Sequence, residues 1–121
     1  MKSRKHLLKR SRLYLILDKQ QSNGLASVCQ SHRPTFGRRS LKSIYSAISG
    51  GKIDLIQLRD KKSAKSDLLK LAIKLSKRLR GSGTLFIVND YVDLAAASGA
   101  DGVHLGQDDL PVEVARSILG K

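Results

Sequence analysis

Four short apolar runs alternate with amphipathic segments along this chain, and that alternation restricts its fold more than any other feature. The runs RLYLILD, IDLIQLR, TLFIVND and ADGVHLG each predict a β-strand. The clearest of the helical segments between and after them is SAKSDLLKLAIKLSKRLRGSG, whose apolar stripe is formed by Leu68, Ala72, Leu75 and Leu79. Apolar strands that alternate with helices predict a parallel sheet covered by helices.

Capping and helix-breaking residues set the expected helix boundaries. Ser40 is expected to cap the first of these helices, and the long one is expected to begin at Ser63 or Ser66. The helices are expected to end at glycines, namely Gly50, Gly81, Gly99 and Gly120. Residues 19–39 show no periodicity, so they predict a long basic loop between the first strand and the first of these helices.

Positive charge is concentrated at the start of the chain. The net charge is +13, and residues 1–39 hold ten lysines and arginines against one acid. We therefore divide the chain into a basic N-terminal arm, residues 1–12, and a domain, residues 13–121. The arm is expected to be a solvated, partly disordered tail. The apolar run that follows it is too short for a secretion signal or a membrane span, which predicts a cytoplasmic protein without a membrane partner.

Polar residues cluster directly after three of the predicted strands. They are Gln57-Leu58-Arg59-Asp60-Lys61, Asn89-Asp90 and Gly106-Gln107-Asp108-Asp109. In a parallel α/β fold the carboxyl ends of all strands lie on one side, where ligands bind both in barrels and in open sheets. The three clusters are therefore expected to be neighbours in space.

The side chains in these clusters suit a diphosphate bound together with a metal ion. Arg59 offers a planar fork of N–H donors, and Lys61 offers a mobile positive charge. Asp90 and Asp109 offer hard oxygen ligands of the kind that Mg²⁺ takes together with substrate phosphates. Asn89 can donate to a phosphate oxygen. The sequence therefore predicts a site for a diphosphate and Mg²⁺.

Each of these residues also has a structural interpretation. Lysine and arginine after a strand are most often solvated loop charges. Asp90 could cap the helix that follows it, and Asp108 or Asp109 could cap the last helix. Gly106 could be a turn residue with positive φ. These alternatives stay open on the sequence alone.

The strings LYLILD, GGKIDLIQLRDK and LFIVNDYVDLAAASGADGVHLGQDDLP closely resemble the first half of the thiamine phosphate synthase family. The resemblance implies a (β/α)₈ TIM-barrel fold, here a truncated half barrel of about four βα units. It also implies an enzyme of thiamine biosynthesis, a transferase that joins hydroxymethylpyrimidine diphosphate to hydroxyethylthiazole phosphate and releases diphosphate.

The resemblance also assigns roles to individual residues. Pyrimidine diphosphate would be bound by Gln57, Leu58, Arg59, Asp60, Lys61 and Asn89. Mg²⁺ would be held by Asp90 and Asp109, while Arg59 and Lys61 would act catalytically by neutralising charge on the departing diphosphate. The implied reaction is dissociative: diphosphate leaves the pyrimidine methylene, and the thiazole nitrogen then attacks.

A complete barrel needs about 200 residues or more, and the family's thiazole-phosphate motifs are absent from this chain. We therefore do not expect this chain alone to complete the reaction. A homo-oligomer or a complementing C-terminal half is the expected protein partner. The alternatives are a non-catalytic half barrel that binds a phosphorylated ligand or a partner, and a basic nucleic-acid-binding protein that uses the arm together with Arg38 and Arg39.

Overall fold

A computed structural model describes residues 4–18, 38–51 and 53–120 of the chain. Four strands and five helices alternate within these ranges. In chain order they are α1 (Arg4–Arg10), β1 (Tyr14–Asp18), α2 (Arg38–Ser49), β2 (Leu55–Arg59), α3 (Lys65–Leu79), β3 (Leu85–Asn89), α4 (Val92–Ser98), β4 (Gly102–His104) and α5 (Val112–Leu119). From β1 onward this is the predicted order.

The four strands form one parallel sheet in the order β1-β2-β3-β4. Asp18 pairs in register with Arg59, and Asn89 with His104. Because side chains alternate between the two faces of a strand, this register sorts the sheet residues into two sets. The outer set packs against the helices and consists of Leu15, Leu17, Ile56, Leu58, Phe86 and Val88. The inner set carries the polar groups at the ends of the strands.

The main core cluster lies between the outer face of the sheet and the helices, while Leu55 and Leu85 are buried on the inner face. The helical side of it is formed by Ile44, Ile48, Leu68, Ala72, Leu75, Leu79, Leu94 and Ala95. The predicted stripe of α3 is confirmed, since its four residues are all buried. Sequential parallel strands with helices on the outside are the arrangement of a barrel, and four strands make half of one. The predicted fold class is confirmed.

Two predicted helix starts are wrong. Helix α2 begins at Arg38, two residues before Ser40, so the last two residues assigned to the loop are helical. The remainder of that loop, residues 19–37, lies outside the described residues. Helix α3 is preceded by Ala64 rather than by a capping serine. The reason is local: the Asp60 carboxylate accepts the backbone N–H groups of Lys62 and Ser63, at 3.0 and 2.9 Å, and so fixes the turn before the helix.

The basic arm is a helix over Arg4–Arg10, where the sequence predicted a solvated, partly disordered tail. A distant contact links it to the sheet, since Arg4 donates to the Asp101 carboxylate at 2.9 Å across 97 residues of sequence. The other oxygen of Asp101 accepts the backbone N–H of Phe86 at 2.9 Å. Helix α1 therefore lies at the amino ends of the strands. A groove of about 510 Å³ between α1 and α3 lies at this same end, away from the predicted site.

The longest described helix, α3, has 15 residues. No helix in the described ranges combines the length and the apolar character that crossing a membrane would require.

Candidate functional site

The carboxyl ends of β2, β3 and β4 bring the predicted site residues to one edge of the sheet. The Lys61 ammonium lies 3.8 Å from the Asp90 carboxylate, although the two residues follow different strands. The Asp90 backbone N–H donates to the His104 carbonyl at 2.8 Å, which ties the end of β3 to β4. Three loops therefore meet here, as the sequence predicted.

Asp90 occupies an unusual turn. Its φ is 65°, and it is the one non-glycine residue of the described ranges with positive φ. The N–H of Tyr91 donates to the carbonyl of Asn89 at 2.8 Å, which closes a three-residue γ-turn around Asp90. Such backbone is strained by about 1–3 kcal/mol and persists where the surroundings enforce it, often at functional sites. The strained backbone therefore makes Asp90 a candidate functional residue independently of its charge.

The structural alternative for the aspartates is wrong. Helix α4 is preceded by Tyr91 and α5 by Pro111, and neither helix receives a side-chain cap. Asp109 instead accepts the backbone N–H of Gly106 at 2.6 Å, within its own loop.

Two carboxylates face each other at this edge. Burial raises the pKa of Asp90, and the neighbouring Asp109 carboxylate raises it further, while the positive charges of Lys61 and Arg59 partly offset both effects. Carboxylates that repel each other favour a cation between them. Within the part of the chain that the structure describes, no three His, Cys, Asp or Glu side chains gather into a metal cluster. Two carboxylates with substrate phosphates are nevertheless the set that Mg²⁺ commonly takes, so Asp90 and Asp109 fit this ion.

Gly106 favours a close approach of Asp109, and its φ is not positive. The expectation of a positive-φ turn is therefore wrong. A Cβ atom added here would lie 3.0 Å from the Asp109 carboxylate oxygen that the Gly106 N–H binds. Glycine thus allows the backbone to hold this carboxylate in place.

The inner face of the sheet adds two residues that the sequence analysis missed. Asp18 forms an ion pair with Arg59, and the Tyr14 hydroxyl accepts a hydrogen bond from Gln57. Burial raises the pKa of Tyr14. The sequence could have indicated Asp18, since an acid at the end of β1 lies beside the residue that ends β2 in a parallel register.

The other three predicted binding residues lie in three different environments. Leu58 is buried on the outer face, so only its backbone can reach a ligand. Asp60 is buried and organises the turn before α3. Asn89 is buried on the inner face, at the end of β3. The roles predicted for these residues stay predictions.

Comparison with known proteins identifies the family of this chain. The sequence profile described as thiamine monophosphate synthase matches residues 25–121. The chain belongs to the thiamine monophosphate synthase family. This membership confirms the resemblance found in the sequence.

Relatives in the thiamine monophosphate synthase family show how much of the protein this chain represents. The thiamine-phosphate synthase of Syntrophomonas wolfei is 46% identical over 85 residues, which are 70% of this chain and 40% of that protein. That of a Nostoc species is 42% identical over 117 residues, 97% of this chain and 28% of that protein. The thiamine phosphate pyrophosphorylase structure from Pyrococcus furiosus matches with a TM-score of 0.65 and 31% identity, over 88% of this chain and 45% of that one. The chain therefore spans less than half of the relatives it matches.

In this member of the thiamine monophosphate synthase family, Asp90→Asn should stabilise the fold at neutral pH. The folded-state pKa of Asp90 lies above its unfolded value, so the wild type loses stability as pH rises through that folded pKa. Asparagine does not ionise, and it tolerates the positive φ. We expect a higher free energy of unfolding at pH 7 and no difference in acid, where the Asp90 carboxyl is neutral. Urea denaturation at several pH values measures this difference, and an equal or lower stability at pH 7 would contradict it.

If Asp109 holds Mg²⁺, Gly106→Ala should weaken the binding of that ion while leaving the fold nearly unchanged. The added Cβ forces the Asp109 carboxylate to move, and displaced supporting groups reduce metal affinity by about 10–100-fold. Gly83→Ala is the reciprocal control, because Gly83 has φ 82° and open space around it. That control should lose about 1 kcal/mol of stability through backbone strain and keep its Mg²⁺ affinity. Unchanged Mg²⁺ affinity in Gly106→Ala would show that Asp109 does not bind the ion.

Proposed function

We propose that this chain provides the pyrimidine-diphosphate and Mg²⁺ side of a thiamine phosphate synthase site. The whole reaction would join hydroxymethylpyrimidine diphosphate to hydroxyethylthiazole phosphate and release diphosphate. The observation that carries the proposal is the meeting of Lys61, Asp90 and Asp109 at one edge of the sheet. Names carried by relatives of 42% and 46% identity support it. Its cellular place would be the cytoplasm.

Each residue would have a distinct task in this site. Arg59 and Lys61 would bind the diphosphate and neutralise the charge that develops as it leaves. Asp18 would hold the Arg59 guanidinium in place through their ion pair. Asp90 and Asp109 would hold Mg²⁺, which would supply further positive charge to the leaving group.

Gln57 would contact the pyrimidine from the inner face, where the Tyr14 hydroxyl orients it. The groups that bind the thiazole phosphate would come from the part of the barrel that this chain does not span. We therefore expect binding of the pyrimidine diphosphate by this chain, and no complete turnover.

Arg59→Ala is the substitution that tests this function. Hydrogen bonds to a charged group are each worth about 1.5–3 kcal/mol, so we expect diphosphate affinity to fall by about 10–100-fold in calorimetric titration. Arg116→Ala removes an arginine from the exposed side of α5 and should change nothing. The function is wrong if Arg59→Ala binds the pyrimidine diphosphate as tightly as the wild type does.

Nucleic acid is the second candidate ligand, favoured by the exposed basic side chains Lys5, Lys9 and Arg10 of α1. Binding of this kind would weaken steeply with added salt. It would also survive loss of Asp90 and Asp109, which lie at the other end of the strands. Titration with a DNA duplex at two salt concentrations separates it from the proposed function.

A further inference from the structure

A groove of about 510 Å³ lies between α1 and α3 at the amino ends of the strands. Pockets that bind small molecules usually have volumes of about 300–1,000 Å³, so this groove can hold a ligand of that kind. Lys61 and Asp90 lie at the other end of the strands, and the proposed function therefore leaves the groove without a role.

One wall of the groove carries an arginine that an aspartate orients. The Nε–H of Arg4 donates to one carboxylate oxygen of Asp101 at 2.9 Å, and the backbone N–H of Phe86 donates to the other oxygen at 2.9 Å. This contact uses one of the five N–H donors of the guanidinium, and the other four have no acceptor among the residues that the structure describes. Asp101 therefore positions a fork of donors that a ligand in the groove can use.

The opposite wall carries a second arginine, Arg80, directly after the end of α3. Its side chain is exposed, and no carboxylate in the described ranges forms an ion pair with it. Among the described residues that line the groove, Asp101 alone is acidic, and its charge is paired with Arg4. The groove therefore has an excess of positive charge and favours an anion.

The turn from Gly81 to Gly83 lies at the rim of the groove. The Ser82 hydroxyl donates to the Leu79 carbonyl at 2.7 Å and accepts the backbone N–H of Thr84 at 3.1 Å, so the turn is fixed by its own hydrogen bonds. The backbone N–H groups of Gly81 and Gly83 donate to no other group in the described part of the chain. Exposed N–H groups in a turn of this kind can bind phosphate oxygens.

Apolar side chains line the groove beside these donors, namely those of Leu7, Leu79 and Leu85. An inorganic anion would leave this apolar surface unused. The three terminal oxygens of a phosphate monoester can accept N–H groups from both walls at once, whereas the two oxygens of a carboxylate match a single arginine fork. The lining therefore suits a phosphate monoester that carries an apolar group.

We propose that the groove between α1 and α3 is a second ligand site, which binds a phosphate monoester with an apolar group. Arg4 and Arg80 bind the phosphate from opposite walls, and the N–H groups of Gly81 and Gly83 donate to it at the rim. The apolar group packs against the leucines. This site is separate from the diphosphate site, and the proposal holds whichever ligand that site binds.

Phenyl phosphate is the probe that tests the proposal. It would be titrated into the isotope-labelled, folded chain, and the amide signals followed by NMR. We expect saturable shifts at Gly81, Gly83 and Gly99, with an affinity about tenfold above that of inorganic phosphate, because the phenyl group leaves water. Shifts confined to Asp90 and Gly106 would place the phosphate at the other end of the strands and overturn the proposal. Equal affinity for the two probes would overturn it as well.

Arg80→Ala and Arg4→Ala should each lower the affinity for phenyl phosphate by about tenfold, because each removes charged donors from one wall. Both side chains are exposed, so neither change should unfold the chain. Arg116→Ala is the matched control, since it removes an exposed arginine of α5 that does not line the groove. It should leave the affinity unchanged. Full affinity in either groove variant, or an equal loss in Arg116→Ala, would show that the groove does not bind the phosphate.

Discussion

Asp109→Asn should abolish Mg²⁺-dependent binding of the pyrimidine diphosphate by this chain. The asparagine carbonyl can still accept the Gly106 N–H, so the loop keeps its shape and only the charge is lost. Loss of one of two carboxylate ligands should reduce affinity in the presence of Mg²⁺ by about 100-fold, or roughly 2.7 kcal/mol. Calorimetric titration with and without Mg²⁺ measures both affinities.

The metal-free titration makes this prediction specific. Without Mg²⁺ a carboxylate repels the diphosphate, so Asp109→Asn should then bind at least as tightly as the wild type. Asp93→Asn is the control: its carboxylate is exposed and paired with Lys65 at 3.0 Å, three residues beyond Asp90. It should leave both affinities unchanged. An Asp109→Asn chain that retains the full Mg²⁺ effect would remove Asp109 from the metal site.

Phe86→Ala should destabilise the fold by about 3–5 kcal/mol. Phe86 is 1% exposed and is the largest of the fully buried side chains in the described ranges. It lies on the outer face of β3, within the single core cluster between the sheet and the helices. Folded chains of this length have a total stability of roughly 6–18 kcal/mol, so this loss is a large part of it. The urea denaturation midpoint measures the effect.

Ile118→Ala provides the comparison, because Ile118 is mostly exposed and has little packing to lose. Its denaturation midpoint should match that of the wild type. A shift of less than about 1 kcal/mol in Phe86→Ala would mean that the outer face of the sheet is not the stabilising core.

The order of strands and helices was predictable because each element follows from the pattern of apolar residues within its own segment. The run LIQLR is apolar enough to lie inside a sheet, and the stripe of α3 repeats at helical spacing. The meeting of the three polar clusters was also predictable, since all parallel strands end on the same side. The 3.8 Å approach of Lys61 to Asp90 confirms that inference.

Features that depend on distant or backbone contacts were not predictable in the same way. The sequence of helix α1 is that of a basic tail, and its contact with the sheet joins Arg4 to Asp101 far along the chain. The γ-turn at Asp90 is closed by a backbone hydrogen bond from Tyr91 to Asn89, and Asp90 itself donates to His104 in the next strand. The start of α3 was missed because the Asp60 carboxylate, rather than a serine, organises the preceding turn.

The central claim is that this half barrel holds a working half of a diphosphate site. Its most direct test is calorimetric titration of the purified chain with hydroxymethylpyrimidine diphosphate, with and without Mg²⁺, on a sample shown to be folded by chromatography and denaturation. We predict saturable binding at one site per chain that requires Mg²⁺. A folded chain that does not bind the pyrimidine diphosphate, or that binds it equally well without Mg²⁺, would contradict the claim.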